Sequence, residues 1–308
     1  MKHTIFTPVY NRAGNMFDLA KHISEIDYPK SEFEWLIIDD GSTDNLKDIL
    51  YQIKDTYTDI NIRSIHKEND GIHTAQNCAI KNALGEYITR IDSDDYLLPD
   101  CLKNYDMALD SIPLEKRNGV AGVVGLCMNM KDMSVRGTSF PEESQITRGY
   151  LLVRKGVKGD KNFCIKTSVM KEFLIPEHDD TKWVPEGGIL WLELDKKYET
   201  LFVNIPISVC TEPNPESYTG SMKKETLANI MTCYYGSIYI VNNGKRYYPP
   251  QAILKAYIKT PLAYIRARKY NKYKYSYHRF FNDIVSFSDK CIMCCCIPLA
   301  FIYSIIKR

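Results

Sequence analysis

Four short apolar runs, His3 to Val9, Phe33 to Ile38, Ile60 to Ile65 and Tyr87 to Ile91, constrain the fold of this chain more than any other feature. Each has the length of a buried strand and ends in a cluster of polar residues. Helical patterns lie between them, with Met16, Leu19, Ile23 and Ile26 on one face of the first. Strands that alternate with helices in this way predict a mostly parallel sheet with helices on both faces. Ligands bind such sheets at the carboxyl ends of the strands, which is where the polar clusters fall.

Tyr10-Asn11-Arg12 follows the first strand, and Asp39-Asp40-Gly41-Ser42-Thr43-Asp44 follows the second. The latter is a turn of side chains that bond local backbone and cap a helix beginning near Asn45. After the third strand come Glu68-Asn69-Asp70-Gly71-Ile72-His73 and a helix through Ala75, Ala79, Ile80 and Ala83, with Gly85 as its stop. The fourth strand ends in Asp92-Ser93-Asp94-Asp95, before a helix opened by Pro99. Carboxylates this close repel one another, and a divalent cation is their natural partner. A solvated acidic turn is the competing reading.

In this order and at these spacings, Pro8-Val9-Tyr10-Asn11-Arg12, Asp39 to Asp44, Asn69-Asp70-Gly71, Asn77 and Ile91 to Asp95 resemble the successive motifs of glycosyltransferase family 2. The resemblance is strong over residues 3–105 and looser to about residue 225. It implies an α/β GT-A fold, a nucleotide-sugar donor such as a UDP-sugar, a divalent metal and transfer by a single inverting displacement. Carried over by position, Tyr10 lies against the base and Asp40 accepts from its ring nitrogen. Pro8 and Asn11 join the donor site or shape its turn, with Asn69, Gly71 and Asn77 on its other side. Asp94 is expected as the metal ligand, and Asp92 as a second ligand that also reaches the sugar or ribose. Hard oxygen ligands fit Mg2+ or Mn2+ equally. The sequence departs from the pattern at Gln76, where an arginine is usual, with His73 or Arg90 as substitutes. No histidine lies between His178 and His278 to serve as a late metal ligand.

Transfer to a hydroxyl also needs a general base. Glu186, just before a helix through Leu190, Leu194 and Tyr198, is the candidate, and the helix N-terminus favours its ionised form. Asp179 and Asp180 compete with it. Trp183 is a candidate for stacking against an acceptor sugar, and the loop Tyr218 to Lys224 for a lid over the diphosphate.

The charge is uneven. From Thr226 to Arg308, thirteen Lys and Arg face only Asp283 and Asp289, a net of +11, while the whole chain carries +2. Tyrosines, among them Tyr257, Tyr264, Tyr270, Tyr273 and Tyr275, are interleaved with these cations, a composition suited to an anionic bilayer interface. The sixteen residues from Cys291 to Ile306 are apolar except Ser304, shorter than the roughly 20 of a membrane span. They predict an interfacial anchor, with a packed helix second and nucleic acid distant. The apolar run Ile5 to Val9 is too short for a secretory signal, and the scattered cysteines suit a reducing compartment.

These features predict a catalytic domain over 1–225 (1–105 for the nucleotide-sugar, 106–225 for the acceptor) and a basic helical extension over 226–308. The expected protein is a transferase acting on a lipid-linked or polymeric saccharide at the inner face of the cell membrane. The alternatives are a catalytically silent sugar-nucleotide binder and a sugar nucleotidyltransferase. The latter would carry a glycine-rich phosphate loop after the first strand, which Pro8 to Arg12 is not.

Overall fold

The computed structural model describes residues 1–211 and 224–306, without the side chains of 186–188 and 303–306. Two compact units divide the chain: Met1–Leu174 with Glu193–Pro213, and Ile175–Leu192 with Asn214–Arg308.

The first unit is built on one nine-stranded sheet, in the order β3-β2-β1-β4-β8-β6-β9-β5, with β7 also paired to β9. Strands β1 (His3–Val9), β2 (Phe33–Asp39), β3 (Asn61–His66) and β4 (Tyr87–Arg90) are mutually parallel. Their connections are α1 (Met16–Ser24), α2 (Leu46–Thr56) and α3 (Ile72–Asn82), the crossovers that parallel pairing requires. The face foreseen for α1 is the one it buries: Met16, Leu19 and Ile23 are each at most 2% exposed, and Ile26, expected on the same face, is equally buried just beyond the helix end. β1 and β2 are buried along their whole length, whereas β3 is an edge strand with every residue partly or fully exposed.

Beyond β4 the sheet is mixed, which corrects the expectation of a mostly parallel one. After β5 (Tyr96–Leu97) and α4 (Cys101–Asp110) come β6 (Val120–Asn129), β7 (Ser144–Thr147), α5 (Gly149–Arg154), β8 (Lys161–Lys166), α6 (Thr167–Met170), α7 (Glu186–Lys197) and β9 (Glu199–Cys210). β8 runs antiparallel to both β4 and β6, while β6 and β9 are parallel. β5 and β7 pair antiparallel with opposite ends of β9. An apolar run such as Val120 to Met128 announces a buried strand but carries no direction.

A buried carboxylate ties the parallel half together. Glu34, fully buried on β2, accepts hydrogen bonds from the Thr4 hydroxyl (2.7 Å), the Leu84 N–H (2.8 Å) and Arg63 Nη1 on β3 (2.6 Å). Its neighbour Gly85 gives its N–H to Thr4 Oγ1 at 2.8 Å. A Cβ at Gly85 would stand 2.4 Å from the His3 carbonyl carbon and the Thr4 nitrogen, so only glycine fits against β1 there. Asp195, on α7, accepts the N–H groups of Gly149 and Tyr150 at 2.9 and 2.7 Å, and thereby caps α5. Burial nonetheless pushes its carboxyl up to about 6.

The second unit contains α8 (Leu227–Asn243), α9 (Pro250–Ala267), α10 (Tyr277–Asn282) and α11 (Phe287–Ile306). Its core is aromatic. Tyr234, Tyr264, Tyr275 and Phe280 are buried, with ring centroids 5.0 Å apart for Tyr234 and Tyr264 and 4.9 Å for Tyr264 and Phe280. Each phenol finds an acceptor: Tyr234 on Asp283 (2.6 Å), Tyr264 on the Ser276 carbonyl (2.9 Å) and Tyr275 on Asp180 (3.0 Å). Tyr257, Tyr264 and Tyr275 are thus core residues, whereas Tyr270 and Tyr273 are exposed. Among the described residues no helix is long and apolar enough to cross a membrane.

Two predictions follow from the first unit. Gly85→Ala must displace the backbone of β1, and is expected to cost at least about 2 kcal/mol, read as a Tm lowered by roughly 5 °C or more. At Asp195 the native pKa lies above the unfolded value, so the folded state binds the proton more tightly. Stability at this site therefore falls as pH rises from about 4 to about 6. Asp195→Asn removes that loss, and urea unfolding at both ends of the window should show its stability relative to wild type improving by about 2–3 kcal/mol.

Candidate active site

Because β1 to β4 are parallel, the turns that follow them share one rim of the sheet. The first two are stitched together by Asn11, whose φ of +53° places it in the left-handed region that asparagine tolerates. Its Oδ1 accepts the Thr43 N–H at 2.7 Å, and its own N–H donates to Ser42 Oγ at 3.0 Å. The Ala13 N–H adds a bond to Asp44 Oδ2 at 2.9 Å. Pro8 is buried in β1 opposite Ile38, a placement that shapes the strand end. Tyr10, beside it, is 48% exposed, with ring surface open for stacking.

Asp40 is the hub of the next two turns. Its Oδ1 accepts from Lys67 Nζ (2.6 Å) and the Asp70 N–H (3.1 Å), and its Oδ2 from the Gly71 N–H (2.8 Å) and Asn69 Nδ2 (3.3 Å). Four donors fill the roughly four lone-pair sites of a carboxylate. Reading a base N–H therefore requires one of them, such as Lys67, to give way. Asn69 also donates to the Asp40 carbonyl at 2.9 Å. The two turns approach so closely that a Cβ at Gly41 (φ +77°) would lie 2.5 Å from the Asn69 nitrogen. Gly71, at φ +102°, is the N-cap of α3. His73 and Asn77 on that helix are each 1% exposed, so His73 is an interior residue.

The acidic turn closes the rim. Asp92 Oδ1 accepts from Arg90 Nε at 2.7 Å, and Arg90 Nη1 donates to Gln76 Oε1 at 3.1 Å. A guanidinium thus reaches this place from β4, with Gln76 as its acceptor. Asp95 Oδ1 accepts the Thr211 N–H at 2.8 Å. Burial, then the adjacent Asp92, holds the Asp94 carboxyl above the usual range, and the same two causes push Asp95 up to about 6. Among the described residues no group of three or more His, Cys, Asp or Glu side chains is arranged to hold a metal ion. Asp94, penalised when ionised and crowded by Asp92, nevertheless suits a divalent cation, whose charge offsets that penalty.

Sequence reasoning missed the brace beneath this turn. Asn162 Oδ1 accepts from Thr89 Oγ1 and the Tyr105 hydroxyl, both at 2.8 Å, and its Nδ2 donates to the Arg90 carbonyl at 3.0 Å. The only sequence signal for it is the polar passage Gly159 to Phe163. Lys67 was missed as well, although it adjoins the Glu68 to His73 cluster.

The remaining candidates fall in the second unit. Glu186 is the first residue of α7; its side chain lies outside the described residues, as does the expected lid from Tyr218 to Lys224 except for the exposed Lys224 itself. Asp180, the rival base, is buried and receives the Tyr235 and Tyr275 hydroxyls at 2.8 and 3.0 Å. Asp179 is exposed, 3.4 Å from Lys274 Nζ. Trp183 is half-buried.

Comparison with known proteins matches residues 4–113 to the family described as glycosyl transferase family 2. The poly(ribitol-phosphate) beta-N-acetylglucosaminyltransferase TarS of Staphylococcus aureus is 30% identical over 126 residues, 40% of this chain and 22% of that protein. A poly(ribitol-phosphate) beta-glucosyltransferase of Bacillus spizizenii is 34% identical over 126 residues, 40% of this chain and 20% of that protein. The chain thus spans about a fifth of the length of these curated relatives. The crystal structure of S. aureus TarS 1–349 superposes with a TM-score of 0.57 at 20% identity, covering 88% of this chain and 73% of that one. A Pyrobaculum calidifontis mannosyltransferase, PcManGT, in complex with GDP-Man and Mn2+, gives a TM-score of 0.54 at 18% identity, covering 97% and 80%. The chain has the α/β fold of these proteins, and its residues 4–113 match the glycosyl transferase family 2 model.

Proposed function

We propose that this chain is an inverting glycosyltransferase that moves a sugar from a nucleotide-diphosphate donor, a UDP-sugar in the first instance, to a hydroxyl of a polymeric or lipid-linked saccharide. The observation that carries this reading is the single rim on which Tyr10, Asp40, Asn69 to Gly71 and Asp92 to Asp94 converge. The relatives named as poly(ribitol-phosphate) glycosyltransferases support the polymeric acceptor, and a TarS structure in complex with UDP-GlcNAc supports the donor class.

In this reading the exposed Tyr10 ring stacks on the base, and the loop pinned by Asp40 holds the nucleotide. Asp94 and Asp92 would hold Mg2+ or Mn2+, which when bound neutralises the diphosphate as it departs. Arg90 fixes the direction of Asp92 and adds positive charge toward the phosphates. Glu186 takes the proton from the acceptor hydroxyl as its oxygen attacks the anomeric carbon, and the N-terminus of α7 favours the ionised base. The basic residues of 226–308 hold the enzyme at the inner face of the cell membrane.

Incubating the protein with a panel of nucleotide sugars and Mg2+ or Mn2+, and measuring nucleoside diphosphate release with a saccharide acceptor, tests the reading. Asp94→Asn is expected to lower kcat/KM by about 10²-fold or more. Glu186→Gln should reduce transfer by about 10²–10⁴-fold while calorimetry still detects UDP binding. Turnover that survives Glu186→Gln would remove the base from this position. UDP binding without turnover by the wild type would leave a silent binder.

A further inference from the structure

The second unit turns an apolar surface outward. α11 buries one stripe, with Met293 (0% exposed) in the core shared with α8 and α9, Cys296 and Ile297 packed against that core, and Ala300 buried at 4%. Its opposite stripe is exposed and apolar: Leu299 is 69%, Ile302 54% and Ile292 42% exposed, and no charged residue occurs from Cys291 to Ile302. Val285 and Phe287, at the entry to the helix, are each 80% exposed. α9 adds Leu254 and Ile258, 62% and 52% exposed, in alternation with the exposed Lys255 and Lys259. Singly exposed apolar residues are ordinary, but a helix face composed only of them marks a contact surface.

Charge selects the occupant. Both carboxylates of residues 226–308 are engaged by tyrosine hydroxyls, Asp283 by Tyr234 and Asp289, 1% exposed, by Tyr257. Lys245, Lys274 and Arg279 lie in ion pairs with Asp289, Asp179 and Asp180, while Lys255 and Lys259 stand exposed on α9. The net of +11 over 226–308 disfavours contact with the same segment of a second copy. A layer of lipid phosphates over hydrocarbon satisfies both features at once. Among the described residues no helix is long and apolar enough to cross, so a contact made by α11 would be interfacial rather than spanning.

We propose that the outward stripe of α11, centred on Leu299 and Ile302, inserts into the interfacial layer of an anionic bilayer, with Lys255 and Lys259 of α9 at the phosphates. This rests on the membrane contact proposed above, to which it adds a face and a lipid charge, and it is independent of the transfer reaction.

Flotation of the whole protein with phosphatidylglycerol-rich and pure phosphatidylcholine vesicles tests it. The wild type is expected to float with the anionic vesicles at low salt and to be released at high salt. Leu299→Asp with Ile302→Asp should weaken that binding by at least about tenfold. Lys255→Glu and Lys259→Glu should each weaken it by about fivefold on anionic vesicles. All four positions are exposed in or substituted on helices, and unchanged circular dichroism confirms that the variants fold. Equal binding to both vesicle types, or anionic binding untouched by the double aspartate variant, overturns the proposal. A wild-type dimer by light scattering that Leu299→Asp dissociates also overturns it, by assigning the face to a second copy. UDP binding measured on the same samples separates the outcomes: its loss counts against the transferase reading and leaves the vesicle result standing.

Discussion

The carboxylate of Asp40 organises the rim of the sheet. A charge this deeply buried would cost several kcal/mol if left alone. Here Lys67, Asn69 and the N–H groups of Asp70 and Gly71 surround it, so the loop after β3 is ordered by the end of β2. Asn11 makes the corresponding tie between the ends of β1 and β2. Parallel pairing supplies the coincidence in space, and these side chains convert neighbouring loops into one surface. Lower in the sheet, Glu34 links β1, β2 and β3 in the same manner.

The legible part of the sequence was the part written in periods. Met16, Leu19 and Ile23 recur at helical spacing, and the buried face of α1 matches them because burial alone sets that pattern. Likewise the four polar clusters share a rim because parallel strands end together. Strand direction beyond β4 was not legible, since Val120 to Met128 reads the same in either orientation. Asn162 was equally hidden: its partners Thr89 and Tyr105 are 73 and 57 residues away in the chain, and no local pattern records such a pairing. The resemblance assigns Asp40 to the base, but its bond to Lys67 depends on a register between strands.

Composition misled most in the tyrosine-rich segment. A phenol beside a lysine suits a bilayer interface, yet the same amphipathic ring suits an interior that offers an acceptor. Asp180, Asp283 and the Ser276 carbonyl supply such acceptors, and Tyr275, Tyr234 and Tyr264 are core residues as a result. The apolar face of α11 lies on the outside of that same core. Which tyrosines turn inward is decided by the few buried acceptors, carboxylate or carbonyl, available to receive them.

The fit of Gly41 against Asn69 has a consequence for engineering. With 2.5 Å between an added Cβ and the neighbouring backbone, the two loops form a lock without clearance. Neither can be lengthened or exchanged for a counterpart from another transferase unless the other moves with it. The segments 39–44 and 67–71 are thus a single transplantable cassette, although more than twenty residues of chain separate them. Grafts intended to alter nucleotide preference would carry both halves.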